Sequence, residues 1–250
     1  MKKNKHLFAY SFVLILGLCF QRSSNSQDNL NITKFNFSKA TITDLGEPMT
    51  LWATTYYLPE FVDGSGEVAL RDNSGNELGP KLTLQEWCRS ALEGSVRIVF
   101  KTAEFKTYNF DSNSGLFSND CSEFSTLNIG NTKFRIANGT FGDGDGKYKL
   151  VPYRTIATDP LSIPTGTVLY IPKAQGAKIL LKNGQTIIHD GYFFAGDLGG
   201  LIKLKHIDVF LGTDNDSSFF PWISHTSTLT FEAYIVKDQK IIDDLTQMHL

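Results

Sequence analysis

The chain has 250 residues, of which 41% are hydrophobic and 20% charged, with a formal net charge of -2. There is enough apolar material for an ordinary core, which excludes general disorder. The near-neutral balance supplies no broad positive field for phosphate backbones, which sets nucleic acid aside as a partner. Less a removable leader, the length suits one large all-β domain or a domain carrying a big insertion, and leaves little room for a second full enzyme domain.

Lys2, Lys3 and Lys5 precede an almost unbroken apolar run from Leu7 to Phe20, followed by polar QRSSNSQDN. A basic start, a short apolar middle and a polar flank are the layout of a secretory signal, read here as residues 1–20. The run falls short of the roughly 18 apolar residues of a comfortable membrane span, so export is preferred to a retained anchor. Cys19 closes the run in LGLC, which is similar to the lipobox of bacterial lipoproteins except that Leu18 is a poor residue before the cysteine. A lipid-anchored chain and a simply cleaved one both stay open. In either case Cys88 and Cys121 remain, an even number in an oxidising compartment, which suits a bridge stapling the middle of the chain. Two buried thiols are the alternative. A nucleophilic Cys88 is less attractive, because WCRSAL supplies no local base.

Residues 21–48 are rich in Ser, Asn, Asp, Thr and Lys and read as a flexible tether. The segment MTLWATTYYLPEF is dense in β-branched and aromatic residues and runs into the turn cluster DGSG, which marks a strand. In LTLQEWCRSALEGSV, Leu84, Trp87, Cys88, Ala91 and Leu92 recur at helical intervals after Thr83, an N-cap candidate with Glu86 three residues on. This is the one convincing helix. Short β-like runs follow, from VRIVF through GTVLYIP and HIDVFLG to LTFEAYIV, separated by Gly, Asn, Asp and Pro, and they argue for a barrel or sandwich. Residues 238–250 read as a C-terminal tail. Asp143 and Asp145 in FGDGDGK, and Asp214 and Asp216 in TDNDSS, never continue to the glutamate that closes a calcium loop, so tight turns are the better reading. No His or Cys pair has metal-ligand spacing, and neither a metal nor a cofactor is expected.

Three carboxylates sit at strand ends bearing glycine or proline: Asp159 in TIATDPLSIPTGTVLYIP, Asp197 in GYFFAGDLGGLIK and Asp208 in HIDVFLG. For Asp159, followed by Pro160, a loop-fixing role is favoured. For Asp208 a functional role is favoured, because a carboxylate in so apolar a strand is costly without a purpose, and burial beside a second carboxylate raises its pKa. Gly199 and Gly200 lack side chains and let a sugar or a neighbouring strand approach beside Asp197. Tyr56, Tyr57, Tyr153 and Tyr192 offer flat faces for sugar rings, although core packing accounts for any one of them equally well.

These segments, in this order and with Asp208 eleven residues after Asp197, resemble the 3D (three-aspartate) domain family, and the same motifs close the barrel of membrane-bound lytic transglycosylase A. The resemblance implies a mainly β chain: a six-stranded double-psi β-barrel over residues 49–237, opened by ATTYY, with a helix-containing insertion at about 60–145 and residues 147–212 as its most diagnostic part. It implies a lytic transglycosylase-like carbon–oxygen lyase. Asp208 would protonate the oxygen between N-acetylmuramic acid and N-acetylglucosamine, then accept the proton of the muramyl C6 hydroxyl as that group attacks C1, leaving a 1,6-anhydro end. Asp197 would tune it, and Tyr56, Tyr57, Tyr153, Asp159, Gly199, Gly200, Lys203 and His206 would line the substrate path. The implied partner is the peptidoglycan glycan strand, met by an exported monomer in the periplasm or at the outer membrane, with or without a lipid anchor, or otherwise secreted. The chain departs from the family in reading GGLIKLK where GGAIKG is usual, so that Leu201 and Leu204 add bulk beside the cleft and Leu204 is expected to rebuild its loop if the position demands a glycine conformation. Two other readings stay open: a non-catalytic, expansin-like wall-binding module, and a hydrolase similar to barrel-type endoglucanases that uses Asp197 and Asp208 with water between them.

Overall fold

The computed structural model describes residues 35–250 except residue 116; the expected signal segment and Cys19 lie outside the described residues. In chain order the strands are β1 (Leu45–Tyr56), β2 (Glu60–Val62), β3 (Val68–Arg71), β4 (Glu77–Leu82), β5 (Ser95–Val99), β6 (Phe105–Asn113), β7 (Thr132–Ile136), β8 (Thr155–Thr158), β9 (Val168–Tyr170), β10 (Lys178–Leu180), β11 (Thr186–Ile188), β12 (Tyr192–Leu198), β13 (His206–Phe210) and β14 (Phe231–Val236). Helix α1 (Leu84–Glu93) lies between β4 and β5, and helix α2 (Gln239–Met248) follows β14.

Six strands close into a barrel in the order β1-β13-β8-β12-β9-β14. Strand β1 is long enough to serve both neighbours: its first part pairs antiparallel with β14, Leu51 opposite Phe231, and its second part runs parallel to β13, from Trp52 opposite His206 to Tyr56 opposite Phe210. Side chains alternate across each strand, so one set of every second residue fills the interior. That set includes Leu51, Ala53, Ile156, Leu169, Phe193, Ala195, Ile207, Val209, Phe231 and Ala233, all in one buried cluster. The complementary set on β1 and β13, Trp52, Thr54, Tyr56 and Asp208, lies on the outer face and is only partly buried.

Residues between β1 and β8 build a four-stranded sheet, β2-β5-β6-β7, and a β3-β4 hairpin. With α1 they enclose a core of their own, formed by Leu70, Leu82, Trp87, Cys88, Ala91, Val96, Ile98, Tyr108, Cys121 and Phe134. The helix starts where the sequence places it: Thr83 and Glu86 form a reciprocal capping box, and Gly94 ends the helix in the left-handed conformation at φ 76°. Its buried face differs from the expected stripe. Leu84 and Leu92 are exposed, whereas Ser90 is buried and donates its hydroxyl to the Glu86 carbonyl at 2.8 Å. Cys88 and Cys121 are joined in a disulfide with Cα atoms 5.6 Å apart, which removes the buried-thiol and nucleophile alternatives.

Both ends of the described chain differ from the loose segments read in the sequence. Phe35 lies over the guanidinium of Arg154 at 4.0 Å, and the Phe37 N–H donates to Asp190 at 3.1 Å. Arg154 is fully buried and held by both oxygens of Asp190 at 2.5 and 2.7 Å. A buried cation is tolerated only with such paired geometry, and the arm from Phe35 onward forms its roof. At the other end the tail is helical, capped by Asp238, and buries Leu245 against Val168, Tyr170, Phe194 and Val236.

The Cys88–Cys121 bridge closes a loop of 33 residues in sequence separation. The loop-entropy estimate makes this worth about 3 to 4 kcal/mol. Urea unfolding of the Cys88→Ser/Cys121→Ser double variant is expected to show a loss of that order.

Candidate active site

Asp208 lies on β13 directly opposite Thr54 of β1, and both strands turn these residues away from the barrel interior. The Thr54 hydroxyl donates to Asp208 Oδ1 at 2.7 Å, and His206 Nε2 lies 2.8 Å from the same hydroxyl. A hydroxyl has a single proton to give. With Asp208 ionised, Thr54 donates to it and accepts from His206 Nε2–H; with Asp208 protonated, the carboxyl donates to Thr54 and Thr54 to His206. His206 is stacked on Trp52, with ring centroids 3.6 Å apart and planes 7° from parallel. It is therefore not the exposed strand histidine of ordinary expectation but part of the support for Asp208.

Asp197 reaches the same face by a different device. Strand β8 has β12 on one side and β13 on the other, and Ala157 of β8 faces both Asp197 and Asp208. The β12–β8 pairing shifts register between Ala195 and Asp197. Without that bulge Gly196 would stand beside Ala157 and Asp197 would point inward; the extra residue turns the carboxylate out. The Tyr56 hydroxyl then donates to Asp197 Oδ2 at 2.7 Å, and the Leu198 N–H donates to Oδ1 at 2.9 Å. Asp145 N–H caps the bulge by donating to the Gly196 carbonyl at 2.9 Å. The approach is so close that a β-carbon on Gly144 would lie 2.1 Å from that carbonyl oxygen. The FGDGDG turn is thus a buttress. Asp143 accepts from Arg135 and from the Asn138 and Gly139 N–H groups, which fixes the same loop.

A third carboxylate comes from the other core. Glu93, the last residue of α1, accepts from the Tyr57 N–H at 3.4 Å and lies 3.7 Å from Arg89. Desolvation is the largest cause of the raised pKa of Asp208, and charge repulsion from Glu93 adds a smaller push, behind the opposing Thr54 bond. Loss of water on this flank pushes Asp208 up to about 7, against the opposing pull of the Thr54 hydroxyl. Asp197 is likewise pushed up to about 7, first by desolvation and then by repulsion from Asp208 and Asp145, while the Tyr56 and Leu198 donors hold it down. Burial and repulsion from Glu93 also raise Glu93's own neighbour Tyr57, and burial raises Glu93 itself. Both aspartates remain partly exposed. Among the described residues no cation lies within ion-pair reach of Asp208, and no main-chain N–H reaches its carboxylate. An acid in this setting holds its proton near neutral pH and can still meet a ligand.

The other expected residues divide. Tyr153 is buried in the barrel interior at 3% exposure, with Phe219 and Phe220 edge-on to its ring, so it packs and does not face a substrate. Tyr192 is fully buried and donates to the Ser38 carbonyl. Tyr57 packs partly against the barrel core beside Glu93. Asp159 accepts from the Leu204 N–H at 2.9 Å and the Leu161 N–H at 3.2 Å, and these bonds lower its pKa; it ties the end of β8 to the loop before β13. That loop carries the rebuilt position: Leu204 adopts φ 56° and is exposed. A β-carbon on Gly199 would strike Ile202, whereas one on Gly200 would meet nothing within 4 Å, so Gly199 is required by packing and Gly200 borders open space. Lys203 is exposed on the same loop. Thr54, Trp52 and Glu93 were missed in the sequence. Thr54 and Trp52 sit at alternate positions with Tyr56, a signal that was available. Glu93 carried a subtler one, being an acid at the negative end of a helix, where it is disfavoured unless held for another reason.

The raised pKa of Asp208 has a stability consequence of defined sign. Its folded value, about 7, lies above the ordinary 3.8, so the folded state binds the extra proton between those limits and stability falls as pH rises through the window. Asp208→Asn removes the penalty. Thermal or urea unfolding is expected to show the variant more stable than the parent at pH 8, on the order of 2 kcal/mol once the roughly 4 kcal/mol of the full shift is reduced for solvent screening, with the difference vanishing near pH 4.

Residues 154–226 match the family model of the 3D domain. No curated protein matches the chain in sequence. Among solved structures, MltA of Escherichia coli with bound chitohexaose is similar at a TM-score of 0.53 and 16% identity, covering 75% of this chain and 72% of that one. The membrane-bound lytic murein transglycosylase from Agrobacterium tumefaciens is similar at 0.50 and 14%, covering 81% and 79%. At these identities the likeness is one of fold. Residues 154–226 thus carry a 3D domain, and the six-stranded barrel built around them is similar in fold to the MltA lytic transglycosylases.

Proposed function

We propose that this chain cleaves the glycan strands of peptidoglycan as a lytic transglycosylase-like enzyme. The observation that carries the reading is Asp208: partly open to solvent, with no cation or main-chain donor in reach among the described residues, and holding its proton to about pH 7. Escherichia coli MltA, similar in fold, has a structure with bound chitohexaose, and we extend that ligand class, a β-linked amino-sugar strand, to the outer face at Ala157. Asp208 gives its proton to the glycosidic oxygen between N-acetylmuramic acid and N-acetylglucosamine as the C1–O bond breaks. The carboxylate then takes the proton of the muramyl C6 hydroxyl while that oxygen bonds to C1, so the acid is regenerated and no water is consumed. Thr54 orients the carboxyl. Asp197 is raised as far as Asp208, but it accepts from two donors, Tyr56 and the Leu198 N–H, where Asp208 has one. The pair's single charge is therefore assigned to Asp197, where it favours the positive charge that develops at C1. The expected leader and Cys19 belong to the same proposal, in which the chain acts on the wall after export, in the periplasm or at the outer membrane.

One observation favours a second reading. Asp197 and Asp208 flank a single strand, which puts their Cα atoms roughly two strand spacings, about 10 Å, apart. Two acids on one outer face are what inverting hydrolysis needs, with a water held between carboxyl groups roughly 6.5 to 9.5 Å apart.

Digestion of purified sacculi followed by mass spectrometry of the released fragments separates the readings. The expected products are 1,6-anhydromuropeptides, reduced about 100-fold or more in Asp208→Ala. Reducing ends that require both Asp197 and Asp208 would replace the lyase with a hydrolase. Sacculus binding without new ends, unchanged in Asp208→Asn, would leave an expansin-like wall-binding module.

A further inference from the structure

Single exposed leucines are common on protein surfaces, and only a contiguous group of them points to a partner. Such a group stands where β8 and β12 end. Leu161 is 94% exposed, Leu201 66% and Leu204 70%, and Leu198, the last residue of β12, is 43% exposed opposite Thr158. Asp159 brings them together, because its two carboxylate oxygens accept the Leu161 and Leu204 N–H groups and so hold the two turns side by side. The loop of residues 198–205 has its buried anchor in Ile202, 5% exposed, against which Gly199 closes. The leucines around it are therefore not spent on packing. Leu204 is costly twice over, being exposed and held at φ 56°.

The composition of the patch selects among partners. Residues 158–162 read TDPLS and residues 198–205 read LGGLIKLK, with no aromatic ring on which a sugar could stack. Protein interfaces are enriched in Trp, Tyr and Arg and depleted in Lys, and leucine is under-represented among their energetic centres. Leucine at protruding turns with lysine beside it is instead the pattern of an interfacial anchor, whose apolar side chains enter the acyl boundary while the ammonium groups stay with the headgroups. Lys203 and Lys205 are exposed and make no ion pair among the described residues. Of the nearby acids, Asp159 is 5% exposed with both oxygens bonded, and Asp197 stands on the barrel side of Leu198, bonded to Tyr56 and to the Leu198 N–H. At the tip itself the charges presented to solvent are the two lysines, which suits anionic lipid. We propose that these two loops dock on a lipid surface, with Leu161, Leu201 and Leu204 in its interfacial layer and Lys203 and Lys205 on anionic headgroups. The docking does not depend on glycan cleavage, and it holds the outer face at Ala157 close to the bilayer.

The test places the full chain on nanodiscs of phosphatidylcholine and phosphatidylglycerol, part of the lipid carrying a nitroxide near the top of its acyl chain, and follows the loss of leucine methyl NMR signals. Each signal is assigned by changing its leucine to isoleucine. Leu84 of α1 and Leu180 of β10, exposed elsewhere on the molecule, are the references, so attachment of the chain through any other segment does not decide the outcome. Leu161, Leu201 and Leu204 are expected to lose several-fold more intensity than Leu84 and Leu180. In Lys203→Gln/Lys205→Gln that excess falls, the ratio of docked to undocked chains dropping about fivefold for each lysine removed. Phosphatidylcholine alone is expected to lower it in the same way. Equal loss at patch and reference leucines, greater loss at Leu84 or Leu180, or an excess indifferent to both the lysines and the lipid charge would each overturn the proposal. The unsubstituted chain by itself gives the first two of these outcomes, so the test stands whatever the variants do to folding.

Discussion

Desolvation of one carboxyl group, Asp208, is the constraint around which the outer flank of the barrel is organised. Ile207 and Val209 on either side of it point into the core, so strand alternation forces Asp208 outward, where among the described residues no cation lies within ion-pair reach of it. Glu93 reaches toward the same flank from the end of α1 and adds a like charge. Water is withdrawn and no opposite charge takes its place, so protonation becomes the cheaper way to hold the group. The Thr54 hydroxyl accommodates either protonation state, because it can reverse its donation between Asp208 and His206.

The second carboxylate depends on a single irregularity. The bulge at Gly196 moves Asp197 from the inward to the outward set, and Gly144 allows the 143–145 turn to press against the bulge and cap its carbonyl. The acidic turn that looks like a failed calcium loop in the sequence therefore has a mechanical task at the site. Asp159 has a comparable one: its carboxylate anchors Leu204 in a conformation that leucine seldom adopts. Of the three aspartates in the motifs, two stand on the outer face beside Ala157 and one holds the neighbouring loop.

The barrel was legible because its strands are short, aromatic and β-branched, punctuated by Gly and Pro, and because the three aspartate segments arrive in a recognisable order. Helix α1 was legible through Thr83 and Glu86. Less visible were features set by contacts distant in sequence. Thr54 and His206 meet across 152 residues, and Glu93 meets Tyr57 across 36; no local pattern carries those distances. The docked arm hides in the same way, since Phe35 and Phe37 look isolated until Arg154 and Asp190 are placed beneath them. Helix α2 was hidden because its apolar residues, Ile241, Ile242, Leu245 and Met248, follow a strand so closely that they read as a trailing tail. Tyr153 shows the converse error: an aromatic next to a motif is often simply core.

The account rests on the proton of Asp208 and is tested most directly by following its carboxyl carbon by NMR as a function of pH, with Asp208→Asn to assign the signal. A titration midpoint near 7 is the predicted result. A midpoint near the ordinary 3.8 would contradict it, because a carboxylate already ionised at neutral pH has no proton to give a glycosidic oxygen.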